Sequence, residues 1–253
     1  MLRSRITPCL LVHRKGLVKT VEFREPKYVG DPLNAVKIFN EKEVDELIIL
    51  DIDATVEGRG PDFNFIKNIA IESRMPLCYG GGITTVDQAK KIISLGVEKI
   101  ALSSAAIENP ELLLEIGSAI GVQSVVVVLD VKKKGLFKNY EVFTHNGKRA
   151  VGKKLTDIIS TLTNIGVGEI VINSIDEDGK MNGYDYKLFE LVRELTSCPL
   201  TILGGAGSLE NIKEAILKFK TLGVAAGSIF VFKGKYKAVL INYPDRMARK
   251  EIY

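Results

Sequence analysis

Two aspartates close runs of apolar residues. Asp130 follows the five aliphatic residues Val125–Leu129, and Asp178 stands in Asp176-Glu177-Asp178-Gly179, just past the run Glu169–Asn173. A carboxylate at the end of a buried strand can act as general acid or base once its surroundings tune it. The plainer reading is an aspartate that caps a turn or a helix. Two glycine clusters, Gly80-Gly81-Gly82 and Gly204-Gly205-Ala206-Gly207, lie downstream of Asp51 and Asp176 at nearly equal intervals. Each cluster leads through a helical pattern to a run of small residues, Ser103-Ser104-Ala105-Ala106 and Ala225-Ala226-Gly227-Ser228. Glycine lets an anion come close to the backbone and its N–H groups. Small residues that open a helix leave its positive end free for phosphate. One such cluster could simply relieve crowding at a strand-to-helix turn. A duplicated pair points instead to two phosphate sites facing one another, and to a long small-molecule ligand phosphorylated at both ends.

Other charged residues carry weaker signals. Lys19 either covers an anionic ligand or is a solvated lysine. Arg5, Glu46, Lys99 and Glu169 each open an apolar run, and either form a charged ring or face solvent singly. His13 and His145 lack a partner motif, and no P-loop, dinucleotide fingerprint or Ser/His/Asp pattern appears. Neither metal nor cofactor is therefore expected.

These residues must be held by a regular scaffold. Strand candidates are Ile6–Val12, Glu46–Leu50, Met75–Tyr79, Lys99–Leu102, Ser124–Leu129, Glu169–Asn173, Leu200–Leu203 and Leu222–Ala226. Helical patterns alternate with them at Pro32–Val44, Phe63–Ser73, Val86–Leu95, Pro110–Ile120, Leu155–Ile165, Tyr186–Thr196 and Glu210–Phe219. Near-continuous apolar runs suit strands buried on both faces of a parallel sheet. Eight strand–helix repeats with even spacing predict a closed (β/α)8 TIM barrel over residues 1–253, rather than an open doubly wound sheet. The repeated Asp and glycine pattern divides it into two half-barrels. Val131–Gly152 reads as a β-hairpin insertion after strand 5, with its turn at His145-Asn146-Gly147-Lys148. A second excursion, His13–Phe23 with Gly16 as its turn, follows strand 1. In such a barrel both lie on the face where active sites are built. The four strand-opening charges then fall at the opposite end of the barrel axis.

Composition limits the partners. The 253 residues are 46% hydrophobic and 26% charged, with a net charge of +4. Basic residues are scattered and there is no tryptophan, so no nucleic-acid partner is expected. The longest apolar runs are strand length, far below the ~20 residues of a membrane span. No secretory signal is read at the N-terminus. Cys9, Cys78 and Cys198 sit in or beside apolar runs without ligand spacing, which suits free thiols in a cytoplasmic protein.

Taken together, Pro8-Cys9, Val18-Lys19, Gly30-Asp31-Pro32, Leu50-Asp51-Ile52, Gly80-Gly81-Gly82-Ile83, Asn109-Pro110-Glu111-Leu112, Gly168-Glu169-Ile170, Asp178-Gly179, Gly183-Tyr184-Asp185 and Gly204-Gly205-Ala206-Gly207 resemble the cyclase subunit family of imidazole glycerol phosphate synthase. The resemblance runs from residue 1 to about residue 232. It implies a (β/α)8 barrel in a heterodimer with a glutaminase subunit. Ammonia from the glutaminase would pass a gate at the barrel base and react at the top with a bis-phosphorylated ribulosyl-formimino nucleotide. The family's gate positions match Arg5, Glu46, Lys99 and Glu169. Its phosphate positions match Gly82, Ser103 and Ser104 on one side, beside Gly81, and Gly179, Gly205, Ala226 and Gly227 on the other, with Ser228 following. Asp130, Asp178 and Lys19 are then the catalytic candidates.

The departures from that family carry as much information. It has catalytic aspartates at the ends of strands 1 and 5. The second matches Asp130, but the first falls at Leu11, whose side chain cannot exchange a proton. The family's Asn falls at Ser103, and its Ser residues near the second phosphate fall at Leu203 and Gly227. This combination, with Pro-Cys-Leu-Leu in strand 1 and an ending like Val239-Leu240-Ile241-Asn242-Tyr243-Pro244, resembles a side branch associated with acetamidino modification of surface sugars. A sugar amidotransferase is a further partner in that branch. The leading expectation is thus a barrel that delivers ammonia for amidination of a surface-glycan sugar. The alternative is an active cyclase of histidine biosynthesis, with Asp51, Asp53 or Asp178 covering for Leu11. A phosphoribosyl isomerase and a non-catalytic glutaminase scaffold are the remaining readings.

Overall fold

A computed structural model describes residues 4–135, 139–220 and 222–253. The first strand, β1 (Arg5–His13), turns back through β2 (Gly16–Val21) and β3 (Arg24–Gly30) before α1 (Pro32–Glu41). Three βα steps follow: β4 (Leu47–Asp51) with α2 (Phe63–Glu72), β5 (Leu77–Gly80) with α3 (Val86–Ser94), and β6 (Lys99–Leu102) with α4 (Ser104–Glu108) and α5 (Glu111–Ile120). The second half repeats this plan. Strand β7 (Val125–Lys134) turns back through β8 (Asn139–Thr144) and β9 (Arg149–Lys154) before α6 (Leu155–Ile165). Then come β10 (Glu169–Ser174) with α7 (Tyr186–Leu195), β11 (Leu200–Leu203) with α8 (Leu209–Phe219), and β12 (Gly223–Ala226) with α9 (Ser228–Val231). A hairpin of β13 (Phe232–Lys233) and β14 (Ala238–Val239) and a last helix, α10 (Arg246–Ile252), follow.

Parallel pairing runs β1–β4–β5–β6–β7–β10–β11–β12 and returns to β1, so the eight strands close as a (β/α)8 barrel. The two-fold repeat is visible in local chemistry as well as order. Helices α3 and α8, equivalent across the two halves, both start with a capping box, Thr85 with Gln88 and Ser208 with Asn211. Each box satisfies N–H groups that a helix start leaves unpaired.

Two apolar layers hold the fold. Ile6, Leu10, Ile49, Val127 and Ile172 face outward and pack under the helices. Cys9, Ile48, Cys78, Ala101, Val126, Val128, Val171, Leu203 and Ala225 form a separate cluster inside the barrel. Since side chains alternate along a strand, the pleat that buries Val126 and Val128 also turns Asp130 inward. On β10 the same pleat aligns Glu169, Val171 and Asn173. Among the described residues no helix is long and apolar enough to cross a membrane.

The antiparallel excursions depart from expectation in detail. The first bends at Arg14 and Lys15, both with positive φ (48° and 66°), rather than at Gly16, which opens β2. It also continues past Phe23 into β3, whose largely exposed Arg-Glu-Pro-Lys stretch gives no alternating signal. The second is antiparallel as expected, but β7 itself extends to Lys134 and β9 to Lys154. Leu136, Phe137 and Lys138 of that hairpin lie outside the described residues. Glu46 stands one residue before β4 rather than within it.

Each excursion crosses the barrel mouth to the opposite half. Glu22 N–H, at the β2–β3 tip, donates to the Asp178 carbonyl at 3.0 Å, and Lys180 pairs with the Glu22 carboxylate at 2.7 Å. In the other direction, Asn146 at the β8–β9 turn donates to the Ile52 carbonyl at 2.8 Å.

Candidate functional site

Four charges interlock at the base of the barrel. Lys99 Nζ lies 2.7 Å from Glu46 Oε1 and 2.8 Å from Glu169 Oε2. Arg5 Nη2 is 2.8 Å from Glu169 Oε1, and its Nε is 3.2 Å from Glu46 Oε2. Cations and anions therefore alternate around a closed ring, and the solvated reading of these residues does not hold. Thr201 on β11 adds a hydroxyl donor to Glu169. Burial alone would raise the Glu169 carboxyl, but Arg5 and Lys99 outweigh it and hold it below its ordinary range. Burial would likewise lower Lys99, and Glu169 and Glu46 more than offset that. Such a ring is stable only while complete, because a buried charge without its partner is costly.

At the other end of the axis a cavity of about 570 Å³ opens at the strand ends. Every proposed catalytic and phosphate position lines it: Asp130, Asp178 and Lys19, with Gly81, Gly82, Ser103 and Ser104 from the first half and Gly179, Gly205, Ala226, Gly227 and Ser228 from the second. Sequence separations of more than a hundred residues are thus closed by barrel geometry. Backbone conformation explains the glycines at two of these positions. Gly81 and Gly205, equivalent across the two halves, have φ of 125° and 110°, which side chains rarely adopt. A Cβ at Gly81 would also press on the Asp51 backbone.

The three catalytic candidates are unlike one another. Asp130 accepts from Asn173 Nδ2 at 2.9 Å. Burial pushes its carboxyl up to about 7, with Asp178 adding to the effect and the Asn173 bond opposing it. It can therefore both give and take a proton near neutrality. Asp178 accepts from Thr20 Oγ1 at 2.7 Å, and burial raises it too, against Thr20 and Lys19. Lys19 is buried and donates to the Cys9 carbonyl at 2.8 Å. Burial lowers its pKa, opposed by Cys9 and Asp178. Lys19 is thus folded into the mouth, beside Gly227, and is not the solvated lysine its position in a turn-rich segment allowed.

Leu11 also lines the cavity, paired in register with Leu50. Across the two-fold, Asp130 pairs with Asn173. Asp51 does not stand free: Arg59 grips it with two guanidinium bonds of 2.8 and 3.0 Å, and the Asp53 and Ala54 N–H groups donate to it. Asp53 is taken by His13 and the Arg14 N–H, each at 2.7 Å. Asp176, the repeat partner of Asp51, accepts from the Lys133 N–H at 2.7 Å. Asn173, Thr201, Thr20 and Arg59 escaped sequence reasoning. Asn173 carried a faint signal, as a polar residue ending an apolar run.

This combination is a parallel barrel with a charged base and a glycine-lined mouth. It coincides with a match to the family described as "Histidine biosynthesis protein", over residues 5–237. The chain belongs to the histidine biosynthesis protein family. Within that family it is 52% identical over 253 residues, the whole of both chains, to the "Putative imidazole glycerol phosphate synthase subunit HisF" of Leptospira borgpetersenii. It is 53% identical over 251 residues to the "Putative imidazole glycerol phosphate synthase subunit hisF3" of Vibrio vulnificus, covering 99% of this chain and 96% of that one. It is 39% identical over 230 residues, 91% of each chain, to the "Imidazole glycerol phosphate synthase subunit HisF" of Exiguobacterium sibiricum. The histidine biosynthesis family thus accounts for the whole barrel.

Proposed function

We propose that this chain is a cyclase-type barrel that handles ammonia without closing the imidazole ring. A glutaminase subunit, bound as a heterodimer, supplies ammonia at the charged base. The barrel delivers it at the mouth for acetamidino modification of a surface-glycan sugar, together with a sugar amidotransferase. The phosphate positions around the mouth hold a phosphorylated small-molecule ligand.

One observation carries this reading. The four-residue ring at the base is complete, while the mouth presents Asp130 with Asn173 in one half and Leu11 with Leu50 in the other. Ring closure in the family this chain resembles uses a carboxylate at each of the two places. A general acid–base group contributes roughly 10²–10⁴-fold to such a step, and leucine contributes none of it. Asp51 and Asp53 are poor substitutes, because both already accept from fixed donors. The apolar cluster between base and mouth favours a small neutral molecule over an ion, as ammonia transfer requires.

The test is complementation of a histidine auxotroph that lacks its cyclase subunit but keeps its glutaminase. Expression of this chain should give no growth without histidine. Rescue would make it an active imidazole glycerol phosphate synthase subunit, a lyase of histidine biosynthesis, and overturn the reading.

A further inference from the structure

Asp178 belongs to the second half of the barrel, yet the groups that favour its ionised form come from the β2–β3 excursion of the first. Thr20 Oγ1 donates to Asp178 Oδ2 at 2.7 Å, and the Phe23 N–H faces the same oxygen from 3.5 Å. Burial raises the carboxyl, and Thr20, Lys19 and Phe23 oppose it, Thr20 most. The excursion is closely seated against this loop. Glu22 N–H donates to the Asp178 carbonyl at 3.0 Å, Lys180 pairs with Glu22, and a Cβ at Gly179 would collide with the Thr20 carbonyl. The second carboxyl oxygen is differently placed. Oδ1 takes no hydrogen bond among the described residues but keeps accessible surface, and Asp178 lines the mouth cavity.

We infer that Thr20 is the positioning residue of Asp178: its hydroxyl holds Oδ2, leaves Oδ1 to accept an O–H or N–H of a ligand in the mouth, and so makes an acceptor of one half-barrel depend on the excursion of the other. The donor count sets this chemistry. A backbone N–H only donates and a carboxylate only accepts, so an Oδ2 that faces the Phe23 N–H and the Thr20 hydroxyl favours the ionised form. Without the Thr20 bond, a protonated Asp178 would offer the ligand a donor instead. The other titratable groups that act on Asp178 are Asp130 on β7, Cys9 on β1 and Lys19 on β2. Asp130 disfavours a second negative charge nearby, and Lys19 is turned to the Cys9 carbonyl. The hydroxyl of Thr20, itself 5% exposed, is thus the specific contact that keeps this oxygen pair oriented. The assignment rests on reading the mouth as a ligand site, but its test needs no ligand.

The Asp178 and Asp130 carboxyls are titrated together by ¹³C NMR in the parent, Thr20→Val and Thr20→Ser. Thr20→Val keeps the shape of the side chain without its hydroxyl, and should raise the Asp178 midpoint by about one pH unit. Thr20→Ser should return it to the parent value. The sign separates this role from a structural one. A variant that merely loosened the mouth would admit water and lower both midpoints toward the ordinary aspartate value of 3.8. If Thr20→Val does not fold, the Phe23 amide proton of the unaltered protein decides the matter, since it should titrate with the Asp178 midpoint. An unmoved or lowered Asp178 midpoint in Thr20→Val, no recovery in Thr20→Ser, or a Phe23 amide that ignores the Asp178 titration would each overturn the assignment. None of these outcomes bears on complementation, so the two proposals fail separately.

Discussion

Leu11 and Asp130 occupy equivalent places at the barrel mouth. Each ends the inward face of the first strand of its half, pairs with an antiparallel excursion on one side (Val18, Phe143) and with a parallel strand on the other (Leu50, Asn173). The two-fold scaffold thus carries a carboxylate at one of these two places and an aliphatic side chain at the other.

Asp130 should make stability depend on pH. Its folded carboxyl titrates at about 7, above its ordinary value of 3.8. A raised acid is an asset below the lower value and a liability above the higher one, because ionisation favours the unfolded chain. Asp130→Asn should therefore match the parent near pH 4 and exceed it above pH 7. The gain should be about 1–3 kcal/mol, moderated because the carboxylate borders an open cavity. Denaturant unfolding at pH 4, 6 and 8 measures it. An equal difference at all three would refute the assignment.

Removing Lys99 should break the ring and leave Glu46 and Glu169 with Arg5 as the one cation they share. The expected cost of Lys99→Ala is about 3–5 kcal/mol at neutral pH. Glu169 is held low in the intact ring, so its stabilising share is present above about its ordinary value of 4.5 and fades as pH falls through its folded value. The penalty should accordingly shrink in acid, as Glu169 is neutralised. Thermal melts across pH 3–7 follow this. In the complex with a glutaminase, the same substitution should leave glutamine hydrolysis intact but release the ammonia to solvent. Undiminished coupling would argue against the ring as the ammonia inlet.

Gly227 holds open the space that Lys19 occupies. A methyl at position 227 would overlap the Lys19 ammonium and stand 3.2 Å from the Cys9 carbonyl. Gly227→Ala should push the flexible end of Lys19 toward solvent and return its lowered pKa toward that of an ordinary lysine. Lysine-selective ¹³C NMR titration reads this directly. An unmoved Lys19 resonance would contradict the packing.

Barrel order was legible because each buried parallel strand is a short aliphatic run. Lys99–Leu102, Leu200–Leu203 and helix Leu155–Ile165 have the same ends in sequence and structure. The charged ring was legible only as four strand openers, since its closure depends on which strands become neighbours. Asn173 was missed for a related reason. Its partner Asp130 is 43 positions away, and only the β7–β10 pairing brings them together. Strand β3 was missed because its mainly exposed residues, with a proline among them, obey neither apolar periodicity. Arg59 sits in a loop where nothing in sequence announces the two bonds it makes to Asp51.

The proposed function requires a mouth that binds like a cyclase but lacks one of its proton-exchanging groups. It is tested most directly by supplying the purified barrel with the bis-phosphorylated ribulosyl-formimino nucleotide and excess ammonium salt, alongside Leu11→Asp. Free ammonium bypasses any glutaminase, so only the mouth is examined. The parent should bind the nucleotide without turnover, and Leu11→Asp should gain measurable ring closure. Turnover by the parent at a rate that Leu11→Asp does not exceed would contradict the account.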